Sequence, residues 1–248
     1  MKNSKEYSQK MKKLYRSLKQ KYPKPAKVSY EEPVESLVYG IVSESMTEKQ
    51  SQPAVKKLND HFIDFNDLRV SLDEEICESM GIDLLDGRKT AFRLTTALRW
   101  IFDKYNTVSL ESLKKIGKRP AKEALEKIES ISNFVVDYCM LTSLQGHAIP
   151  LTDKMVEYLK DDELVHPEAN EQEIEGFLTR QVAAKDAYEF YYLLRTASEA
   201  RKSKKKPEKK TEKKVKKAVE SKKAKSVKKT KKKVKTKKRK KERCQKRY

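Results

Sequence analysis

The sequence is poor in the residues that make turns and cross-links. Six glycines in 248 residues leave little material for tight turns, which disfavours sheet-rich folds and glycine-rich phosphate loops. Three cysteines, Cys77, Cys139 and Cys244, stand far apart. They can form neither a disulfide framework nor a four-cysteine metal site. The three histidines, His61, His147 and His166, lack metal-ligand spacing. No run approaches the roughly 18 apolar residues of a membrane span. The basic N-terminal stretch has no apolar core segment and is not expected to be a secretory signal. A reducing, intracellular compartment is the expectation. Hydrophobic residues amount to 37%, low for one compact body of this length, so part of the chain is expected to lie outside the fold.

Charge is abundant and unevenly placed. The chain carries a formal +21. Residues 201–248 hold 28 Lys/Arg against four acids, residues 1–27 hold ten against one, and residues 28–200 hold 20 against 32. This describes an acidic globule of net −12 with a basic extension at each end, +9 and +24. The expected domains are a basic helix or arm over 1–27, a helical domain over 28–200 and a lysine-rich tail over 201–248. The tail's only large apolar groups are four valines and Tyr248, too few to offset the entropy of ordering it, so it is expected to be disordered when free. Its Val-Lys-Lys and Ser-Lys-Lys units resemble the tails of linker histones and bacterial histone-like proteins.

A polyanion is the natural partner for such a tail. Lysine is a flexible point charge that neutralises phosphate without reading bases. If about ten lysines engage duplex DNA, log K against log salt should slope at roughly −9. Representative contacts are Lys204, Lys205, Lys206, Lys231, Lys232, Lys233, Lys237, Lys238 and Arg239. A solubilising or localising tail is the plainer reading. Membrane binding is not expected, because no acyl motif or aromatic anchor accompanies the lysines. The chain is expected to be a monomer in the cytoplasm, on nucleoid or chromatin, with duplex DNA as its partner and RNA as a further one.

The acidic stretch reads as all-α. Met11, Leu14, Tyr15 and Leu18 recur at helical spacing over 5–22, and Pro23 ends the run. Pro33 opens a helix over 33–46 whose apolar face is Val34, Leu37, Val38 and Ile41. Thr47 caps the next, over 47–62, with Pro53 near its first turn. Short helices fit 64–69 and 73–79. Asp86 or Thr90 starts a strong helix to about Tyr105. Ser109 caps the stretch after it, and Pro120 opens another helix. Residues 133–144 are apolar nearly all round, which suits a helix at the centre of a bundle. Thr152 or Asp153 caps a helix to Leu159, and 171–197 reads as one long helix. The total is about ten helices, with no convincing strand.

The order of these elements resembles the helix-hairpin-helix DNA glycosylases of the endonuclease III type, over roughly residues 22–197. PVESLVYGIVSESMTEKQSQPAVKKL is similar to the family's opening apolar helix and polar turn. GIDLLDGRKTAFRLTTALRWIFDKY resembles its long middle helix. ALEKIESISNFVVDYCMLTSLQGHAIPLTDKMVEYL resembles its hairpin, central helix and catalytic turn. The resemblance implies a two-lobed helical bundle. The literal string GRKTA, Gly87–Ala91, matches the family's hairpin sequence but sits one helix too early, and is taken as a coincidence.

What the resemblance implies about chemistry can be carried over residue by residue. The family's two hairpin glycines fall on Ser130 and Ser132, the candidate backbone contacts to a DNA phosphate. Its lysine nucleophile falls on Phe134, which cannot attack a sugar, so lyase activity is not expected. Its aspartate falls on Thr152, with Asp153 one residue later. Asp153 is the candidate catalytic carboxylate, with a helix cap as the simpler alternative. The glutamine that wedges into duplex falls on Ser45. The iron–sulfur loop has no counterpart, and no cofactor or metal is expected. Lys114, Lys115, Lys118, Arg119 and Lys122 form a basic patch just before the hairpin, either a DNA contact or a solvated surface. The resulting expectation is a DNA-binding relative of base-excision glycosylases that is catalytically degenerate. The alternatives are an active glycosylase with an atypical site and an RNA- or ribosome-binding protein.

Overall fold

The computed structural model describes residues 4–26 and 28–201. Among them there are eleven α-helices and no strand. In chain order these are α1 (Ser4–Lys21), α2 (Pro33–Ser45), α3 (Glu48–His61), α4 (Phe65–Val70), α5 (Asp73–Met80) and α6 (Leu84–Tyr105). They continue with α7 (Lys118–Leu125), α8 (Asn133–Thr142), α9 (Asp153–Asp161), α10 (Glu171–Gln181) and α11 (Ala187–Ala200). Short 3₁₀ turns at Glu111–Lys114 and Ala184–Asp186 complete the set. The tail residues Lys204, Lys205, Lys206, Lys231, Lys232, Lys233, Lys237, Lys238 and Arg239, and the disorder expected of them, lie outside the described residues.

Two helices make the centre. In α2, ten of the eleven positions from Pro33 to Ser43, all but Glu35, are buried. In α8, Phe134 through Met140 are all buried, as its apolar composition requires. These two pack along one another, so neither can present a polar face to water. In one lobe α3 and α6 pack on α2, with α5 against both and α4 against α6; in the other α1 and α9 pack on α11, with α10 against α1. The helix-hairpin-helix unit is α7, the loop 126–132 and α8.

Local chemistry explains most boundaries. Pro33 takes the first turn of α2, where its missing N–H costs nothing. Thr47 and Gln50 form a reciprocal capping box on α3. Asp64 caps α4 by accepting from the backbone of Asn66 and Asp67 at 2.8 and 2.9 Å. Gly81, at φ 73°, ends α5 in a left-handed turn that only glycine adopts without strain.

Three sequence expectations require correction. The long middle helix starts at Leu84, ahead of both Asp86 and Thr90, so GRKTA lies inside α6 and the hairpin is the later loop. Thr152, not Asp153, caps α9: its Oγ1 accepts from the Met155 N–H, and Asp153 is the first helical residue. The stretch 171–197 is two helices. The chain leaves helical geometry at Val182, and a His147 ring nitrogen at 2.9 Å hydrogen-bonds the Val182 carbonyl that the break frees. A tertiary partner outweighs a helical pattern that runs unbroken in the sequence.

Candidate functional site

The loop 126–132 is held by side chains from two other helices. Ser130 sits at φ 64°, the left-handed region that a glycine would occupy without cost. Arg93, on α6, donates from Nε to the Ser130 carbonyl at 2.9 Å and from its terminal nitrogen to Glu44 at 2.6 Å. Ser132 donates to the same Glu44 oxygen at 2.9 Å and caps α8 by accepting from the Val135 N–H. Arg93 and Glu44 are mostly buried, so this clamp is a shielded, charge-assisted one. The loop therefore keeps its shape through side-chain clamps, at the expense of one strained serine.

The clamp forms one wall of a cavity of about 460 Å³. The floor is Phe134, in the first turn of α8 and 2% exposed. Its ring stacks against Tyr138 at 6.1 Å between centroids and tilts against Tyr191 at 6.3 Å. The Arg195 guanidinium lies over it at 5.7 Å. The lip is acidic: Glu44 from α2, Asp153 from α9, Glu171 from α10 and Glu199 from α11, with Lys154 as the cation among the lining residues. Partial desolvation, then the carboxylates of Asp153, Glu44 and Glu175, raises the Glu171 carboxyl above its ordinary range. Asp153 is exposed, with no side-chain hydrogen bond or ion pair among the described residues.

Behind this lip lies a buried charge. Arg195 is 1% exposed, yet its guanidinium is fully used. It donates to Glu199 at 2.9 Å, the Tyr191 hydroxyl at 2.7 Å, the Met46 carbonyl at 3.0 Å and the Ser43 carbonyl, and pairs with Glu48 at 3.4 Å. Glu199 in turn accepts from the Glu48 N–H and so caps α3. Arg195 thus ties α11 to the α2–α3 turn and fixes the rear of the cavity.

The sequence-derived candidates divide into three groups. Ser130, Ser132, Phe134, Thr152, Asp153 and Ser45 converge on the cavity or its clamp; Ser45 accepts from the Thr90 hydroxyl at 2.9 Å. The basic patch stands apart, along the Glu111–Lys114 turn and α7, where Lys122 pairs with Asp137 at 3.0 Å. Lys114 is bound to Glu111 and the Glu31 carbonyl, and Arg119 pairs with Glu123 at 3.1 Å. Lys115 and Lys118 are exposed. The tail cations are outside the described residues. Sequence reasoning missed Glu44, Arg93 and Arg195. Only Arg195 left a trace, since it shares a face with Tyr191 and Leu194 at helical spacing. For Arg93 and Glu44 the pairing is purely tertiary.

No family model and no curated protein matches the sequence. Among solved structures, a trapped endonuclease III–DNA covalent intermediate superposes with a TM-score of 0.63 at 14% identity, over 81% of this chain and 90% of that one. A thermostable thymine-DNA glycosylase gives a TM-score of 0.53 at 14% identity over 72% and 79% of the two chains. The 3-methyladenine DNA glycosylase of Schizosaccharomyces pombe, in complex with abasic DNA, gives 0.52 at 16% identity over 74% and 89%. The fold is that of endonuclease III and other helix-hairpin-helix DNA glycosylases.

Proposed function

We propose that this protein is a DNA-binding relative of the base-excision glycosylases that has lost the excision chemistry and is held on duplex mainly by the lysine-rich tail. One observation carries the reading: the floor of the cavity is Phe134, buried to 2% and built into the aromatic core. A nucleophile there would need an amine or another ionisable group, and this ring supplies none. The lip supports the same reading: Arg93 neutralises Glu44 and Arg195 neutralises Glu199, while Asp153 and Glu171 outnumber Lys154, so the cleft offers a phosphate backbone no net positive charge and cations elsewhere must anchor it. That proteins of this fold have been captured with DNA supports duplex as the partner.

The test is incubation of the full chain with oligonucleotides carrying uracil, oxidised pyrimidines, alkylated purines or an abasic site. Binding without base release or strand cleavage is the expected result. A second reading, an active glycosylase, is favoured by one feature: Asp153 is exposed at the lip, beside Lys154. Base release that disappears in Asp153→Asn would establish that reading and overturn the first. Competition between duplex DNA and structured RNA at equal phosphate concentration tests the RNA alternative, which stronger retention on RNA would favour.

A further inference from the structure

The N-terminal basic segment is not a loose arm in this fold. Its helix, α1, is bolted to the second lobe along one side. Met11 and Leu18 are 1% and 3% exposed. Tyr15 meets Phe190 edge-on at 5.3 Å, and Ser8 donates to Gln181 at 2.5 Å. Lys19 pairs with Glu189 at 3.2 Å. The ends suit the helix dipole, with Glu6 in the first turn and Lys19 and Lys21 in the last. Eighteen residues make a rigid rod of about 27 Å.

The opposite side is uniform in character. At 100° per residue, Lys5, Lys12, Lys13 and Arg16 fall within about a 100° arc, centred diametrically from Met11 and Leu18. All four are exposed, and none has a carboxylate partner among the described residues. Gln9 and Gln20 fill the same arc, so no acid interrupts it. The carboxylates beside α1 act off this arc: Glu6, at the margin, is paired with Lys10 at 3.0 Å, Glu189 lies on the inner side with Tyr15 and Lys19, and Glu163 and Asp186 act on Lys10 and Tyr15. Lysines scattered for solubility would be interspersed with acids, as most are within residues 28–200, which hold 20 Lys/Arg against 32 acids. Here four cations are aligned and held at fixed spacing on a body whose middle segment is strongly acidic.

We infer that the outward face of α1 is a phosphate-tracking ridge, a second and structured surface for duplex DNA besides the tail. The inference rests on the proposed DNA-binding function and locates a body contact that the acidic lip cannot make. The partner chemistry is a regularly spaced polyanion. A rod of this length spans several phosphates along one strand at 3.4 Å of axis each. Glutamine and lysine on the arc offer hydrogen bonds and charge without base-reading geometry, so the ridge adds grip and orientation, not sequence choice.

The experiment measures the affinity of the full chain for a labelled duplex across a salt series, by fluorescence anisotropy. Wild type is compared with Lys12→Gln/Lys13→Gln/Arg16→Gln. A control, Lys56→Gln/Lys104→Gln/Lys185→Gln, removes the same charge from exposed sites elsewhere. Circular dichroism and urea midpoints should be alike for all three, since every altered side chain is exposed. The ridge variant should lose about 2.7 from the slope of log K against log salt, at roughly 0.9 per phosphate contact. At about 150 mM salt it should bind at least tenfold more weakly than the control. Equal slopes for ridge variant and control, with wild type binding normally, overturn this inference alone. A wild-type chain that does not bind duplex overturns the proposed function as well. In a parallel series with a labelled RNA hairpin, a loss by the ridge variant confined to the RNA overturns the assignment of the ridge to DNA.

Discussion

Arg195 is the residue on which most of the architecture around the cavity converges. It is buried to 1% and hydrogen-bonded to a carboxylate, a hydroxyl and two carbonyls. Removing it would leave the Glu48 and Glu199 carboxylates facing one another without a counter-charge. Arg195→Met should therefore cost about 3–5 kcal/mol, read as a lower urea midpoint with unchanged m-value. Asp137 is a different case. It is 6% exposed on α8 and bound to Lys122 at 3.0 Å. Burial pushes its carboxyl up to about 6, although the Lys122 ammonium draws it down. Burial pulls Lys122 down, and the attraction of Asp137 more than restores it. Because the folded carboxyl holds its proton at higher pH than the unfolded one, the native state binds more protons between about pH 4 and pH 6. Its contribution to stability is present below that window and is lost as pH rises through it, by about 3 kcal/mol at 1.4 kcal/mol per pH unit. Asp137→Asn should flatten stability against pH in that range and leave the profile above pH 7 parallel to wild type. Neither residue carries a sequence signature of its burial beyond its position on an apolar helix face.

At the scale of elements, the loop 126–132 shows what side-chain clamps can replace. Ser130 adopts a conformation that costs an L-residue roughly 1–2 kcal/mol, while glycine there would forfeit roughly 0.5–1 kcal/mol of unfolded-state entropy. Ser130→Gly should therefore stabilise the protein by about 0.5–1 kcal/mol, and Ser130→Val should destabilise it, both read as shifts in the urea midpoint. An unchanged midpoint for both would mean that the loop is not held in that conformation in solution. The helices themselves were largely legible in the sequence. Proline at the start of α2, threonine before α3 and α9, and the apolar circumference of α8 each act through chemistry local to a few residues. What was not legible is tertiary. The Val182 break is sustained by His147 from a distant segment, and GRKTA carries the letters of a hairpin inside an uninterrupted helix. The cavity was half legible: Phe134, Thr152 and Asp153 follow from element order, whereas the Arg93–Glu44 clamp depends on three segments meeting.

For the whole molecule, the distribution of charge decides how it meets a polyanion. Residues 202–248 hold 27 Lys/Arg and four acids, so removing them takes the net charge from +21 to −2. A chain ending at Arg201 retains the whole described fold, and with it the α1 ridge and the acidic cavity lip. Its behaviour on ion exchangers should invert at neutral pH: the full chain is retained on a cation exchanger and the shortened one passes through. On the proposed reading duplex affinity should fall with it, because about ten tail contacts would account for roughly −9 in the salt slope and the ridge for only about −3. The two numbers separate the contributions cleanly. A shortened chain with a slope near −3 and weak binding at about 150 mM salt places the main grip in the tail and a residual one on the body. A shortened chain that binds as tightly as the full one, with the same steep slope, would instead locate the grip in the folded lobes. The acidic lip around Phe134 would then have to be reinterpreted as a surface that DNA approaches unaided.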